Sequence, residues 1–141
     1  MIIKITKNDY EYQQALNVRK TVFVDEQKVS LEEEIDDLED VSIHMIGVHK
    51  DEVIAASRIR FVDDYGKLER IAIKKDFRGN NFGLQMVRAM EEVIIKNNYH
   101  LAKLNAQTYA TTFYEKLGYL VVSEEFIDAG IPHVTMTKKL N

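Results

Sequence analysis

Arg78-Gly79-Asn80-Asn81-Phe82-Gly83 joins a β-rich run, Leu68 to Lys74, to a run of helical periodicity, Leu84 to Lys96. Glycines at such a junction let main-chain N–H groups turn inward, and a helix starting there adds positive partial charge at its amino end. The pattern predicts a loop whose backbone wraps a polyphosphate, with Arg78 adding a charge-assisted contact. A Gly-containing strand-to-helix turn is also a common plain connector, so the reading depends on the rest of the chain.

The 141 residues suit one domain, 1–141, with a substantial core. A composition of 45% hydrophobic and 30% charged residues is that of a soluble globular protein, and one Pro with six Gly leaves little room for linkers. The net charge of −4 argues against nucleic acid as a partner, yet one electropositive pocket would still take an anionic cofactor. The absence of Cys excludes disulfides, thiolate metal sites and a Cys nucleophile. His44, His49, His100 and His133 lack the spacing of a helical zinc pair; no metal is expected, and they read as surface or packing residues. Met1-Ile2-Ile3-Lys4-Ile5 becomes charged too early for a secretory signal, and no apolar run reaches membrane-spanning length. A cytoplasmic location without a membrane partner is the expectation.

Working outward from the loop, Met86, Val87, Met90, Val93 and Ile94 form one face of the helix, which Asn97-Asn98 can end. Upstream, Ile43–Val48, Val53–Val62 and Lys67–Lys74 are separated by turns at Lys50-Asp51-Glu52 and Asp63–Gly66, predicting a three-stranded antiparallel meander. Before it, a strand Ile2–Thr6 leads through an Asn8 or Asp9 cap into a helix to about Val24, with Tyr12, Ala15, Leu16, Arg19 and Phe23 near one face. Arg19 on that stripe implies a buried ion pair or a rim position. The acid-rich stretch Leu31–Asp40 is apolar only at Leu31, Ile35 and Leu38, the spacing of a short amphipathic helix or ordered loop. Downstream come a strand Leu101–Ala106, a helix Ala110–Leu117 capped by Gly118, and a terminal antiparallel pair, Tyr119–Phe126 with His133–Lys138.

This order and three motifs resemble the GNAT family of acyl-CoA N-acyltransferases over nearly the whole chain. Arg78-x-x-Asn81-x-Gly83 is similar to the family's Arg/Gln-x-x-Gly-x-Gly/Ala loop, with Asn81, a residue that tolerates left-handed backbone, at the middle Gly. Ala110-x-x-Phe113-Tyr114-x-x-x-Gly118-Tyr119 is similar to the segment that frames the acyl-CoA channel, and Gln107 stands where many members carry a pantetheine-contacting Asn. Arg19-x-x-Val22-Phe23-Val24-x-Glu26-Gln27 and Gly130-Ile131-Pro132-His133 resemble a bacterial subgroup of the family.

The resemblance implies an α/β (α+β) fold in which helices flank a mixed, mostly antiparallel central sheet whose strands splay at the cofactor site. It implies an N-acetyltransferase that uses acetyl-CoA as co-substrate and acylates a primary amine in a ternary complex; homodimers are frequent in the family. Residues Arg78, Gly79, Asn80, Asn81, Phe82, Gly83 and Leu84 would hold the pyrophosphate, with Gln107 and Phe113 along the arm. Backbone N–H groups of Ile71, Ala72 and Ile73 would serve the pantetheine and the oxyanion. Tyr114 is the expected general acid and Glu69 the expected general base, with Glu33, Glu34 and His133 as its competitors. The seven acids from Glu32 to Asp40 would draw a cationic acceptor if they line its groove. The alternatives are a non-catalytic acyl-CoA-binding or regulatory module, and a nucleotide-binding fold, the latter disfavoured by the missing Gly-x-x-x-x-Gly-Lys-Ser/Thr loop.

Overall fold

The computed structural model describes residues 1–141. Asn8 caps α1 (Asp9–Arg19) by accepting a hydrogen bond from the Glu11 N–H at 2.9 Å. A π-helical turn, Lys20–Glu26, continues it past the expected end. The buried face is Ala15, Val18, Arg19 and Val22, spaced as an amphipathic helix requires, while Tyr12, Leu16 and Phe23 border it half-buried. The acid-rich stretch folds as one turn of helix, α2 (Leu31–Glu34), and a 3₁₀ turn, Glu39–Val41.

The meander forms as predicted from β2 (Ile43–His49), β3 (Glu52–Val62) and β4 (Tyr65–Ile73), and β1 (Ile2–Ile5) adds to its β2 edge. The β3–β4 turn is tighter than expected, because β4 begins at Tyr65 and Gly66 lies within the strand. The reason is steric: a Cβ on Gly66 would stand 2.6 Å from Cγ1 of Ile94 on α3 (Phe82–Lys96), so the missing side chain lets that helix press onto the sheet. After α3 come β5 (Leu101–Gln107) and α4 (Thr111–Lys116). The chain closes with β6 (Leu120–Val121), β7 (Phe126–Asp128) and β8 (Ile131–Lys139). The single expected strand Tyr119–Phe126 is thus two short ones, each pairing with β8. Tyr119 leaves the ladder because its ring is fully buried and its hydroxyl donates to Glu91 at 2.9 Å.

Seven strands follow the order β1-β2-β3-β4-β5-β8-β6, with β7 alongside β8, and only β4 and β5 run parallel. α3 covers one face over a large apolar cluster that includes Ile59, Leu68, Met86, Met90, Ile94 and Leu104. α1 covers part of the other over Ala15, Val18, Val22, Ile46, Ala56 and Ala72. Two irregularities open the sheet between them. β4 and β5 pair only at Gly66–Ala102, Lys67–Lys103 and Leu68–Leu104, and beyond Leu68 the facing edges have no strand partner. On the β3 side, Ala56 pairs with Ala72 but Arg58 with Glu69, so Arg70 and Ile71 bulge opposite Ser57. Arg70 adopts a left-handed φ of 55° there. The extra residue reverses the facing of the strand: Leu68, Ile71 and Ile73 all pack toward α3, whereas Ala72 joins the α1 cluster.

Replacing Gly66 by Val is expected to destabilise the fold by about 1–3 kcal/mol through overpacking against Ile94. Equilibrium urea unfolding measures this, and combining the change with Ile94→Ala should recover part of the loss if the clash is its cause.

Candidate active site

The divergence of β4 from β5 opens a cleft of about 730 Å³, walled by the head of α3, by α4, by the acid-rich segment and by the β7–β8 turn. Of the expected site residues, Glu69, Ile71, Ile73, Arg78, Gly83, Gln107, Phe113 and Tyr114 line it together. Ala72 turns its side chain to the opposite cluster, and Phe82 is buried with its ring tilted against His49 at 5.1 Å. Leu84 packs against the core. Ala72 and Phe82 can therefore serve a ligand only through backbone.

The junction loop has the geometry that its composition suggests. Gly79 and Asn81 take left-handed φ values of 85° and 63°, and Asn81 occupies the N-cap of α3 without a side-chain capping bond. A Cβ on Gly79 would meet nothing within 4 Å, so the loop faces open space, and Asn80 braces it by donating to the Phe77 carbonyl at 3.2 Å. Arg78 is already engaged: its guanidinium grips both carboxylate oxygens of Glu26 at 2.7 and 2.8 Å and donates to the Ile73 carbonyl at 3.0 Å. Next to Glu26, Gln27 exchanges amide hydrogen bonds with Gln107 and approaches the Tyr109 hydroxyl at 3.4 Å. The end of the π-helical turn, Glu26, and the residue that caps it, Gln27, therefore carry two consecutive side chains across the cleft. The Glu26-Gln27 pair has a signal in the sequence, within the stretch beginning at Arg19, but only the fold reveals what it meets.

Tyr114 lies between Phe113, at 5.0 Å centroid separation, and Tyr119, at 6.0 Å. Burial pushes its phenol up to about 12, so it keeps its proton through neutral pH. Its hydroxyl has no hydrogen-bond partner within the protein and is not sealed from the cleft.

Glu69, the expected base, stands in a cluster of three cations. Burial alone would raise its carboxyl, but a hydrogen bond from Arg60 and the charges of Arg58 and Lys67 outweigh it and hold the group at about 2. Arg58 and Arg60 donate to its Oε1 at 3.1 and 2.8 Å, and Lys67 lies 3.3 Å from Oε2. A carboxylate so stabilised as an anion is a poor proton acceptor. His133 is held differently: Nδ1 lies 2.7 Å from the Ile131 carbonyl, to which it can only donate, so Nε2 is the ring nitrogen left to exchange a proton. Nε2 is unpartnered, is not sealed from solvent, and belongs to a residue lining the cleft.

The acid-rich segment is spent largely on structure. Buried Arg19 binds Glu34 at 2.6 Å and Glu39 at 2.8 Å. Arg58 binds Asp36 at 2.8 Å and Glu39 at still closer range. Arg70 binds Glu34 at 2.9 Å, Asp36 at 3.3 Å and the carbonyls of Glu33 and Glu34. Of the seven acids, Glu34, Asp36 and Glu39 are therefore neutralised, which removes much of the negative field that would draw a cation.

Comparison with known proteins accords with this architecture. Residues 6–140 match the family model described as an acetyltransferase (GNAT) domain. The chain belongs to the GNAT acetyltransferase family. It is 45% identical to the uncharacterized N-acetyltransferase YjcF of Bacillus subtilis, over 95% of this chain and 96% of that one. The crystal structure of a Lactobacillus plantarum protein superposes with a TM-score of 0.92 at 26% identity, covering 99% and 98% of the two chains. An aminoglycoside 6'-N-acetyltransferase solved in complex with coenzyme A shares the fold, with a TM-score of 0.77 at 17% identity over 99% of this chain and 97% of its own.

The charge network makes a prediction about acid. Glu69, Asp36 and Glu39 have lowered carboxyl pKa values, so their stabilisation is complete above the unfolded values near 4 and is lost as pH falls through the folded ones. Glu34, pushed up by burial against the pull of Arg19 and Arg70, opposes that trend. Glu69→Gln should cost about 3 kcal/mol at pH 7, because three cations lose their shared anion, and the deficit should shrink between about pH 4.5 and 2. Urea titrations at stepped pH check this; a deficit independent of pH would reject the network as its origin.

Proposed function

We propose that this protein transfers an acetyl or other short acyl group from coenzyme A to a primary amine, by direct attack while both substrates are bound. The observation that carries this reading is the separation of β4 from β5 immediately beside the left-handed loop at the head of α3. Two unpaired strand edges offer amide donors and acceptors to an extended arm, and the loop offers backbone N–H groups to a diphosphate. The residues fit coenzyme A: the loop opens to space at Gly79, the cleft holds about 730 Å³, and Gln107 and Phe113 stand along it. The fold neighbour solved with coenzyme A supports the same choice.

Acetyl-CoA would supply an activated acyl carbon and a thiolate leaving group. Residues Arg78 to Leu84 would hold its diphosphate, chiefly by backbone, and the free edge at Ile71, Ala72 and Ile73 would serve its amides and the developing oxyanion. His133 Nε2 would accept the proton from the attacking nitrogen as the C–N bond forms. The Tyr114 hydroxyl would give its proton to sulfur as the C–S bond breaks. Glu69 holds Arg58, Arg60 and Lys67 in place on the floor. No covalent enzyme intermediate is needed, which suits a chain without Cys.

Free-thiol release from acetyl-CoA in the presence of a panel of primary amines tests the reaction, alongside calorimetric binding of acetyl-CoA. Tyr114→Phe and His133→Gln should each lower kcat by about 10²-fold with little change in acetyl-CoA affinity. Tight binding without turnover of any amine would favour the non-catalytic module instead, and absence of binding would reject both. Glu26→Gln frees Arg78 from its carboxylate and should tighten acetyl-CoA binding several-fold, whereas Arg78→Ala should weaken it; calorimetry on both variants reads the difference.

A further inference from the structure

The part of the sheet that α1 leaves uncovered carries an unusual row of charge. Arg60 on β3 pairs with Lys67 on β4, and Lys67 pairs with Lys103 on β5, so three cations stand side by side across three strands. All three occupy the face opposite α3: Arg60 and Lys67 both reach Glu69, and Ala102 and Leu104, on either side of Lys103, are buried in the α3 cluster. The row lies four residues along β3 from Ala56, where α1 packs, or roughly 13 Å away. Like charges directly opposite one another in a sheet repel and destabilise it.

Compensation is thin. Glu69 is the only carboxylate that meets Arg60 or Lys67, and it is shared with Arg58. Lys103 meets no carboxylate and sits over the Tyr65 ring at 4.7 Å. The acid-rich segment makes no ion pair with the row: its own pairs end at Arg58 and Arg70, and Asp36 reaches Arg60 only as a more distant charge. The Arg60 and Lys67 side chains remain 19% and 20% exposed and line the cleft, with Lys103 next along the same face. The exposed acids of the cleft, Glu33 and Asp128, lie on other elements, α2 and β7. Cations therefore outnumber acids on the floor, where Glu69 is the one carboxylate beside the row, and the exposed acids lie on the lip.

We infer that the acceptor carries, besides its amine, an anionic group, a carboxylate or a phosphate, which docks on the Arg60–Lys67–Lys103 row. This rests on the N-acyl-transfer reading and names its acceptor class. The Arg60 fork and the two ammonium groups suit a planar carboxylate or a phosphate, and bound charge would relieve the repulsion within the row. The amine end is left toward the splayed strand edges and His133, and the acids on the lip favour its cationic form on entry. The acceptor is thus dipolar, in contrast to the simply cationic acceptor that the acid-rich sequence alone suggests.

The test uses matched amines that differ in the anion alone: serine and O-phosphoethanolamine against ethanolamine, and arginine against agmatine. Two readouts are taken on the full chain, thiol release from acetyl-CoA and, independent of turnover, the Tm of the protein saturated with coenzyme A. Inorganic sulfate, against chloride at equal ionic strength, probes the row by itself. The anionic members should give kcat/KM at least about tenfold above their partners, or raise Tm where the partners do not. Lys67→Gln and Lys103→Gln should each erase that preference through KM for the acceptor, with KM for acetyl-CoA held. The serine and O-phosphoethanolamine arms separate carboxylate from phosphate. Equal or better use of ethanolamine and agmatine, a Tm indifferent to every anion, or a preference that survives both substitutions would overturn the inference. Acylation of ethanolamine or agmatine alone would sink the anionic site while leaving acyl transfer intact. A Tm response to anions without turnover of any amine would do the reverse.

Discussion

Arg19, Arg58 and Arg70, tied to Glu34, Asp36 and Glu39, hold the acid-rich segment against the open face of the sheet, and the shape of the cleft follows from that attachment. Arg19 and Arg58 are almost wholly buried, so each would be costly alone. The arrangement is tolerable because each guanidinium meets at least two carboxylates and the bonds run in a closed circuit, Arg19 to Glu34 to Arg70 to Asp36 to Arg58 to Glu39 and back. Tyr12 adds a hydrogen bond to Glu39 at 3.0 Å, and His44 approaches the Glu39 carbonyl at 2.8 Å. Removing one partner would leave a buried charge unmatched, at about 3–5 kcal/mol. Few apolar side chains hold Leu31–Asp40 down, so charge carries most of that attachment.

The same circuit explains how a non-glycine residue sits in left-handed backbone on β4. Arg70 at a φ of 55° is unfavourable by roughly 1–2 kcal/mol, and its side chain offsets this by bonding Glu34, Asp36 and the Glu33 carbonyl. The bulge in turn lets β4 serve two purposes. Before it, Lys67 and Glu69 face the cleft while Leu68 is core; after it, Ile71 and Ile73 take over the core side. The edge of the strand, free of β5 beyond Leu68, offers backbone polar groups to a ligand. Ion pairs in one wall of the cleft thereby position the backbone that faces it.

Much of this was legible in the sequence where the determinants are local. Periodicity located α3, the Asn8 cap located α1, and glycine with asparagine located the loop, because each depends on a few neighbouring residues. The bulge also left a trace, since Leu68 and Ile71 are three apart and strict alternation cannot bury both on one face. What escaped depends on register. Glu69 reads as a candidate base from its distance to Ile71 along one strand, but its environment is set by Arg58 and Arg60 across the bulge and by Lys67 two residues away. The contact between Arg78 and Glu26 spans 52 positions, and that between Gln27 and Gln107 spans 80, separations over which composition carries no pairing information. Gly66 reads as a turn residue because turns are the commoner reason for glycine; close packing against Ile94 is visible only once α3 is docked.

The two faces of the sheet divide the physical tasks of the protein. Under α3 the residues are almost all apolar, and that face supplies hydrophobic stabilisation through Met86, Met90, Ile94, Ile59 and Leu104. The opposite face is apolar only where α1 lies and becomes charged toward Arg58, Arg60, Lys67 and Lys103. A sheet built for stability alone would not set three cations in one cross-strand row beside a splayed strand pair, since both features forfeit favourable contacts. Such local departures from the most stable choice concentrate where a surface must hold something other than the protein itself. Here they lie together at one cleft, so the ion-pair circuit, the bulge and the cationic row describe a single site whose stability is supplied from the far side of the sheet.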